Sequence, residues 1–193
     1  MFTILYVITI FEINERRKKV KELVEKAISG DERAFAELIL NYQQDLYKIA
    51  LTKLNTEYDI EEAIQETMIS AFKNLKNLKD VDKFKKWIIK ILINKCNEIY
   101  RKRILRLVPL NEIDKCTIFE SDNSEIESKL NFYSIIKILD KKERTIVVLY
   151  YSEKYTTREI AEILNKNENT IKTILRRAKI KLKNKYQGII DIF

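Results

Sequence analysis

The sequence predicts an all-α protein of two small helical domains joined by a flexible acidic linker, and three observations carry that reading. Glycine and proline are almost absent, two and one in 193 residues, so tight strand connections lack their usual chemistry. Apolar residues recur at three- and four-residue spacing through most of the chain. That periodicity lapses at length over 108–128, which holds the only proline, Pro109, six acids against Lys115 alone, and a Ser-Asp-Asn-Ser run at 121–124. The expected organisation is an apolar extension over 1–13, a first domain over 14–107, the linker over 108–128 and a second domain over 129–187.

The extension, MFTILYVITIFEI, is apolar and β-branched but too short to span a bilayer and without a basic leader. It reads as a strand-like or irregular segment, with no stable membrane insertion expected. From Asn14 to Ile28 the spacing of Val20, Leu23, Val24 and Ala27 predicts a charged helix that Ser29-Gly30 ends. Asp31 caps a second helix with Phe35, Leu38, Ile39, Tyr42, Leu46, Ile49 and Ala50 on one stripe. A third starts near Asp59 and gives Ile60, Ala63, Ile64, Thr67, Met68, Ala71 and Phe72 to the same core. Its other face gathers Glu57, Asp59, Glu61, Glu62 and Glu66. Acids near a helix start suit the macrodipole, yet five of them in a basic protein also make a docking face for a basic protein surface.

A polar break over 74–82 precedes a fourth helix, Lys83 to about Leu107, with Phe84, Trp87, Ile88, Ile91, Leu92 and Ile99 as its stripe. Between Lys83 and Arg106 it carries nine Lys or Arg against Glu98 alone. In the second domain Phe132, Ile135, Ile136 and Leu139 predict one helix. Asp140 and Glu143 cap the next, where Ile146, Val147, Leu149 and Tyr150 pack inward.

The chain closes with TTREIAEILNKNENTIKTILRRAKIKLKNK over 156–185. Thr156 and Glu159 form a capping box, Asn165 suits a left-handed turn, and Asn167 caps the following helix, so the stretch predicts a helix-turn-helix. On its second helix Ile171, Leu175, Ala178 and Leu182 share one stripe, while Asn169, Lys172, Thr173 and Arg176 lie opposite. From Lys166 to Lys185 eight Lys or Arg face one Glu. Two separated basic helices, with a formal charge of +8 and a pI near 9.3, point to nucleic acid as the partner.

No enzyme is called for. Histidine is absent, and no Gly-rich phosphate loop or nucleophile elbow occurs. Cys96 and Cys116 alone do not complete a four-ligand zinc site. No cofactor, metal or small-molecule substrate is expected, and both thiols fit a reducing cytoplasm.

Five stretches in order resemble the small, extracytoplasmic-function type of bacterial RNA polymerase sigma factor. They are AISGDERAFAELILNYQQDLYKIA over 27–50, DIEEAIQET from Asp59, FKKWIIKILINKC from Phe84 with Arg101-Lys102-Arg103 after it, TREIAEIL from Thr157 and TIKTILRRAK from Thr170. The resemblance covers about Leu23 to Tyr186. It implies that the first domain is sigma region 2 and the second sigma region 4. It further implies binding of core RNA polymerase and promoter DNA, with an anti-sigma factor as a further partner.

Carried over onto matching positions, Asp59, Glu61, Glu62, Gln65 and Glu66 would bind polymerase. Asn77, Lys83, Lys90, Asn94, Arg101, Lys102 and Arg103 would engage the minus-ten element. Glu168, Thr170, Lys172, Thr173, Arg176 and Arg177 would read the minus-thirty-five element. Trp87 borders the minus-ten track, but its place in the apolar stripe gives it to the core. Ile174 stands where the family often has arginine and is expected to individualise promoter preference. A stand-alone helix-turn-helix regulator is the alternative, and it leaves the acidic face and the second basic helix without a purpose. An RNA-binding or membrane-surface protein would explain the charge but not the caps and turn spacing.

Overall fold

The computed structural model describes residue 15, residues 17–105 and residues 132–186; the apolar extension and the linker expected from the sequence lie outside these. Every regular element among the described residues is helical. The first half comprises α1 (residues 17–28), α2 (Glu32–Leu51), α3 (Glu57–Asn74) and α4 (Phe84–Leu105). The second comprises α5 (residues 132–136), α6 (Lys141–Val147), a π-helical turn (Val148–Ser152), α7 (Thr157–Leu164) and α8 (Glu168–Lys185).

The boundaries follow from local chemistry. α1 ends where Gly30, at φ 104°, adopts a backbone that side chains disfavour, and the Asp31 amide bonds back to the Lys26 carbonyl at 3.1 Å. The Asp31 carboxylate then accepts from the Arg33 and Ala34 amides and starts α2. Thr56 caps α3. The polar break before α4 holds two 3-10 turns, Leu75–Asn77 and Val81–Lys83, the second capped by Asp80. Both expected capping boxes form, Asp140 with Glu143 and Thr156 with Glu159. The widened turn at Val148–Ser152 had no signal in the apolar spacing, which reads there as continuous helix.

The expected stripes are buried with few exceptions. Leu38, Leu46 and Ile49 of α2 meet Ile60 and Ala63 of α3 and Ile88 and Leu92 of α4, all fully enclosed. Phe72 is the main departure. Expected in the core, it lies 47% exposed, because only one edge of the α3 position is covered, by the Phe35 ring of α2 at 5.2 Å. Trp87 is half-buried beside Phe84 at 5.8 Å, in keeping with a packing role.

The two halves are also packed on each other, with α7 against α4 and the π-helical turn against α2. Lys85 of α4 spans the joint, 2.7 Å from Asp45 of α2 and 2.9 Å from Glu153 beyond the π-helical turn. Lys86 pairs with Glu162 of α7. The hydroxyls of Thr52 and Thr145, both buried, meet across the joint at 2.8 Å. Each also lies 2.7 Å from a carbonyl of its own half, Thr52 from Ile49 and Thr145 from Lys141.

Candidate nucleic-acid interface

The helix-turn-helix is built as its residues dictate. Asn165 closes α7 at φ 50°, ψ 55°, where an amide side chain tolerates the left-handed turn. The Asn167 side chain accepts from the Asn169 amide at 2.8 Å to start α8. Ile171, Leu175, Ala178 and Leu182 are buried, 0–7% exposed, and anchor α8 on the core. Their burial leaves Lys172, Thr173, Arg176 and Arg177 on the solvent side, with Thr170 exposed at the helix start.

These side chains are not equivalent. Glu168 accepts from Thr157 at 2.7 Å and from Lys172 at 2.9 Å, and the Lys172 hydrogen bond, then that of Thr157, holds its carboxyl below the usual range. It thus ties α7 to α8 and positions the start of α8. Thr173 donates its hydroxyl to the Asn169 carbonyl at 2.8 Å, which leaves its methyl group and lone pairs for a ligand. Arg176 and Arg177 meet no carboxylate among the described residues and are free to form the forked bonds that guanine edges and phosphates accept. Ile174, expected to tune preference, is half-buried and packed against the core, so it borders the exposed face of α8 instead of lying on it.

On α4 the expected minus-ten residues fall into separate groups. Asn77 and Lys83 are exposed before the helix, Lys83 paired with Asp80 at 2.8 Å. Arg101, Lys102 and Arg103 are exposed at the far end, on the order of 30 Å along the axis at 1.5 Å per residue. Lys90 and Asn94 lie between, exposed on the side that faces α6 and α7. Arg103 is engaged already, 2.8 Å from Asp59 and 3.2 Å from the Thr56 hydroxyl.

That pair also corrects the docking face. Asp59 is only 4% exposed and cannot present its carboxylate to a partner, because the start of α3 is tucked under the end of α4 and Arg103 covers it. Glu61, Gln65 and Glu66 are exposed and Glu62 is half-buried; Lys95 approaches Glu66 at 3.4 Å. Sequence reasoning missed that this face is also apolar. Tyr58, Ile69 and Phe72 are 71%, 50% and 47% exposed and share one helical stripe with Glu62 and Gln65. The spacing 58, 62, 65, 69, 72 was a readable signal, hidden by assigning Phe72 inward.

Comparison with known proteins agrees with this architecture. The family model described as sigma-70 region 2 matches residues 38–104, and that described as sigma-70, region 4 matches residues 129–182. Among curated relatives, RNA polymerase sigma factor SigV of Bacillus subtilis is 29% identical over 142 residues, 72% of this chain and 83% of that protein. The ECF RNA polymerase sigma factor SigW of the same organism is 25% identical over 88% of this chain and 98% of its own length. The fold resembles CnrH, solved with the cytosolic domain of CnrY, at a TM-score of 0.62 and 23% identity over 86% of this chain and 96% of that one. It also resembles the sigma factor RpoE of Bartonella quintana, solved with the anti-sigma factor NepR, at 0.64 and 18% identity over 78% and 94%. Both regions in their order, on a fold with the matching helices, establish that this chain belongs to the sigma-70 family of RNA polymerase sigma factors and to its extracytoplasmic-function type.

Proposed function

We propose that the chain directs promoter-specific transcription initiation by binding core RNA polymerase through α3 and promoter DNA through α4 and α8. The observation that supports this most is the division of exposed chemistry. One helix offers acids and apolar groups suited to a protein partner, and two others offer cations suited to phosphate. On α8, Arg176 and Arg177 contact base edges or phosphates, Lys172 and Thr173 support them, and Glu168 positions the helix start. On α4, Lys90, Asn94, Arg101 and Lys102 follow the minus-ten strand, with Asn77 and Lys83 at its near end. Glu61, Glu62, Gln65 and Glu66 meet the polymerase, aided by Tyr58, Ile69 and Phe72.

This role is recognition and docking, with no catalytic step assigned to the chain. No helix among the described residues is long and apolar enough to cross a membrane, and we place the protein in the cytoplasm beside the polymerase. Two of its fold neighbours were solved with partners, one of them named an anti-sigma factor, and we extend that class of partner to this chain. Lys90 and Asn94 are exposed but face the second half, so a strand laid along α4 at these positions also meets α6 and α7.

Run-off transcription with core polymerase tests the proposal. A cognate promoter should yield transcript only when the chain is added, and Glu62→Lys should weaken polymerase binding while isolated DNA binding stays unchanged. Specific transcript without the chain, or equal loss of both affinities, would refute it.

A further inference from the structure

A cavity of about 330 Å³ lies between the two halves, and its charge has a single sign. Lys53 follows α2, Lys90 sits on α4, Lys141 and Lys142 open α6, and Lys166 lies in the turn between α7 and α8. No Asp or Glu is among the described lining residues. Elsewhere in the joint Lys85 meets Asp45 and Glu153, and Lys86 meets Glu162.

Two of the cavity lysines make direct contacts with neutral groups. Lys53 donates to the Asn97 side-chain oxygen at 2.9 Å, and the Lys141 ammonium lies 4.1 Å from the centroid of the Tyr100 ring. Neither contact supplies negative charge. Burial, first of all, holds Lys53 below the usual ammonium range; burial, then Arg144 and Lys53, does the same to Lys141, outweighing a weaker pull from Asp59. Packing the halves therefore gathers cations whose mutual repulsion a bound anion would relieve.

We propose that this cavity binds a short phosphate chain, free or carried on a nucleoside, held by lysines of both halves at once. Its volume falls within the range of about 300–1,000 Å³ that small-molecule pockets occupy. A phosphate chain concentrates several negative charges and many acceptor oxygens in that space, which suits ammonium donors arriving from four separate elements. A DNA strand fits less well, since the lysines converge only while α7 is packed on α4, and a strand laid along α4 would separate them. A ligand that binds this arrangement alone shifts the population toward it. Bound beside Lys90 and Asn94, it would occupy the face of α4 that the proposed minus-ten strand needs and so oppose promoter use.

Isothermal titration of the full chain with sodium tripolyphosphate at low salt tests the site. The expected result is one saturable site whose affinity falls by roughly tenfold or more in Lys53→Gln/Lys166→Gln, the loss of two charge-assisted bonds. The pair Lys183→Gln/Lys185→Gln, an equal charge loss at the exposed end of α8, should leave the affinity unchanged. Should the first pair be poorly folded by circular dichroism, Lys142→Gln/Lys166→Gln, both on exposed side chains, replaces it. Parallel titrations with ATP and GTP distinguish the sources: tighter binding than tripolyphosphate supports a nucleoside-borne chain, and equal binding supports the free one. Absence of a saturable site, or equal loss in the cavity and control pairs, overturns the proposal. So does displacement of tripolyphosphate by an oligothymidylate that binds more tightly through the same lysines, which would make the cavity part of the DNA track.

Discussion

Replacing Lys85 by methionine keeps the length of the side chain and removes its charge, which makes it a clean probe of the joint between the halves. Lys85 contacts Asp45 at 2.7 Å and Glu153 at 2.9 Å, and the Glu153 side chain is 3% exposed. Burial opposes the Lys85 charge, but hydrogen bonds and attraction from Asp45 and Glu153 outweigh it and raise its pKa. Without Lys85 the Glu153 carboxylate keeps, among the described residues, a weak bond from Ser152 at 3.3 Å. Breaking a buried pair costs about 3–5 kcal/mol, and the partial exposure of Lys85 and Asp45 reduces this to about 2–3 kcal/mol. For a chain of this length that lowers Tm by about 5–10 °C. Thermal unfolding by circular dichroism measures it, and Glu153→Gln added to the Lys85→Met background should recover roughly half of the loss by removing the stranded charge. The sign with pH is fixed: a lysine whose folded pKa is raised stabilises fully below its unfolded value and loses that contribution only as pH climbs past it, so the effect is undiminished at neutral pH. A Tm within about 1 °C of the parent, or no recovery in the double variant, would refute the argument.

Three further outcomes are expected. Arg176→Ala should weaken minus-thirty-five binding by about 1–3 kcal/mol, read by fluorescence anisotropy against cognate and scrambled duplexes, with the loss confined to the cognate one. Asn165→Ala should destabilise by about 1 kcal/mol because of its left-handed backbone, while Asn165→Gly should cost less; chemical denaturation separates the two, and equal losses would count against the turn geometry. Burial pushes the Cys96 thiol up to about 12, so iodoacetamide at pH 8.5 should leave Cys96 unmodified in the folded chain and label it in urea. The same shift means that stability contributed by the neutral thiol is complete below about 8.5 and falls as pH rises toward 12.

Much of the fold was legible because helix signals are local. Asp31, Thr156, Asn165 and Asn167 act within four residues of where they stand, and the structure uses each as its chemistry suggests. The stripe Ile171, Leu175, Ala178 and Leu182 was readable for the same reason, and so was the face opposite it. What escaped depends on neighbours remote in sequence. Asp59 looked exposed by spacing and is buried because Arg103 folds over it, and Phe72 looked buried and is exposed because Phe35 at the start of α2 covers only one side of it. The convergence of Lys53, Lys90, Lys141, Lys142 and Lys166 was equally illegible, since it exists only once α6 and α7 rest on α4.

The two threonines at the joint have one further property. Thr52 and Thr145 own two hydroxyl protons between them, yet three oxygens compete for those protons: the carbonyls of Ile49 and Lys141 and whichever hydroxyl acts as acceptor. One hydroxyl must therefore give up its own carbonyl to reach across. When the halves separate it swings back, and no buried polar atom is stranded by the parting. The contact works as a latch with a spare keeper on each side, firm enough to register the halves and cheap to release and close again.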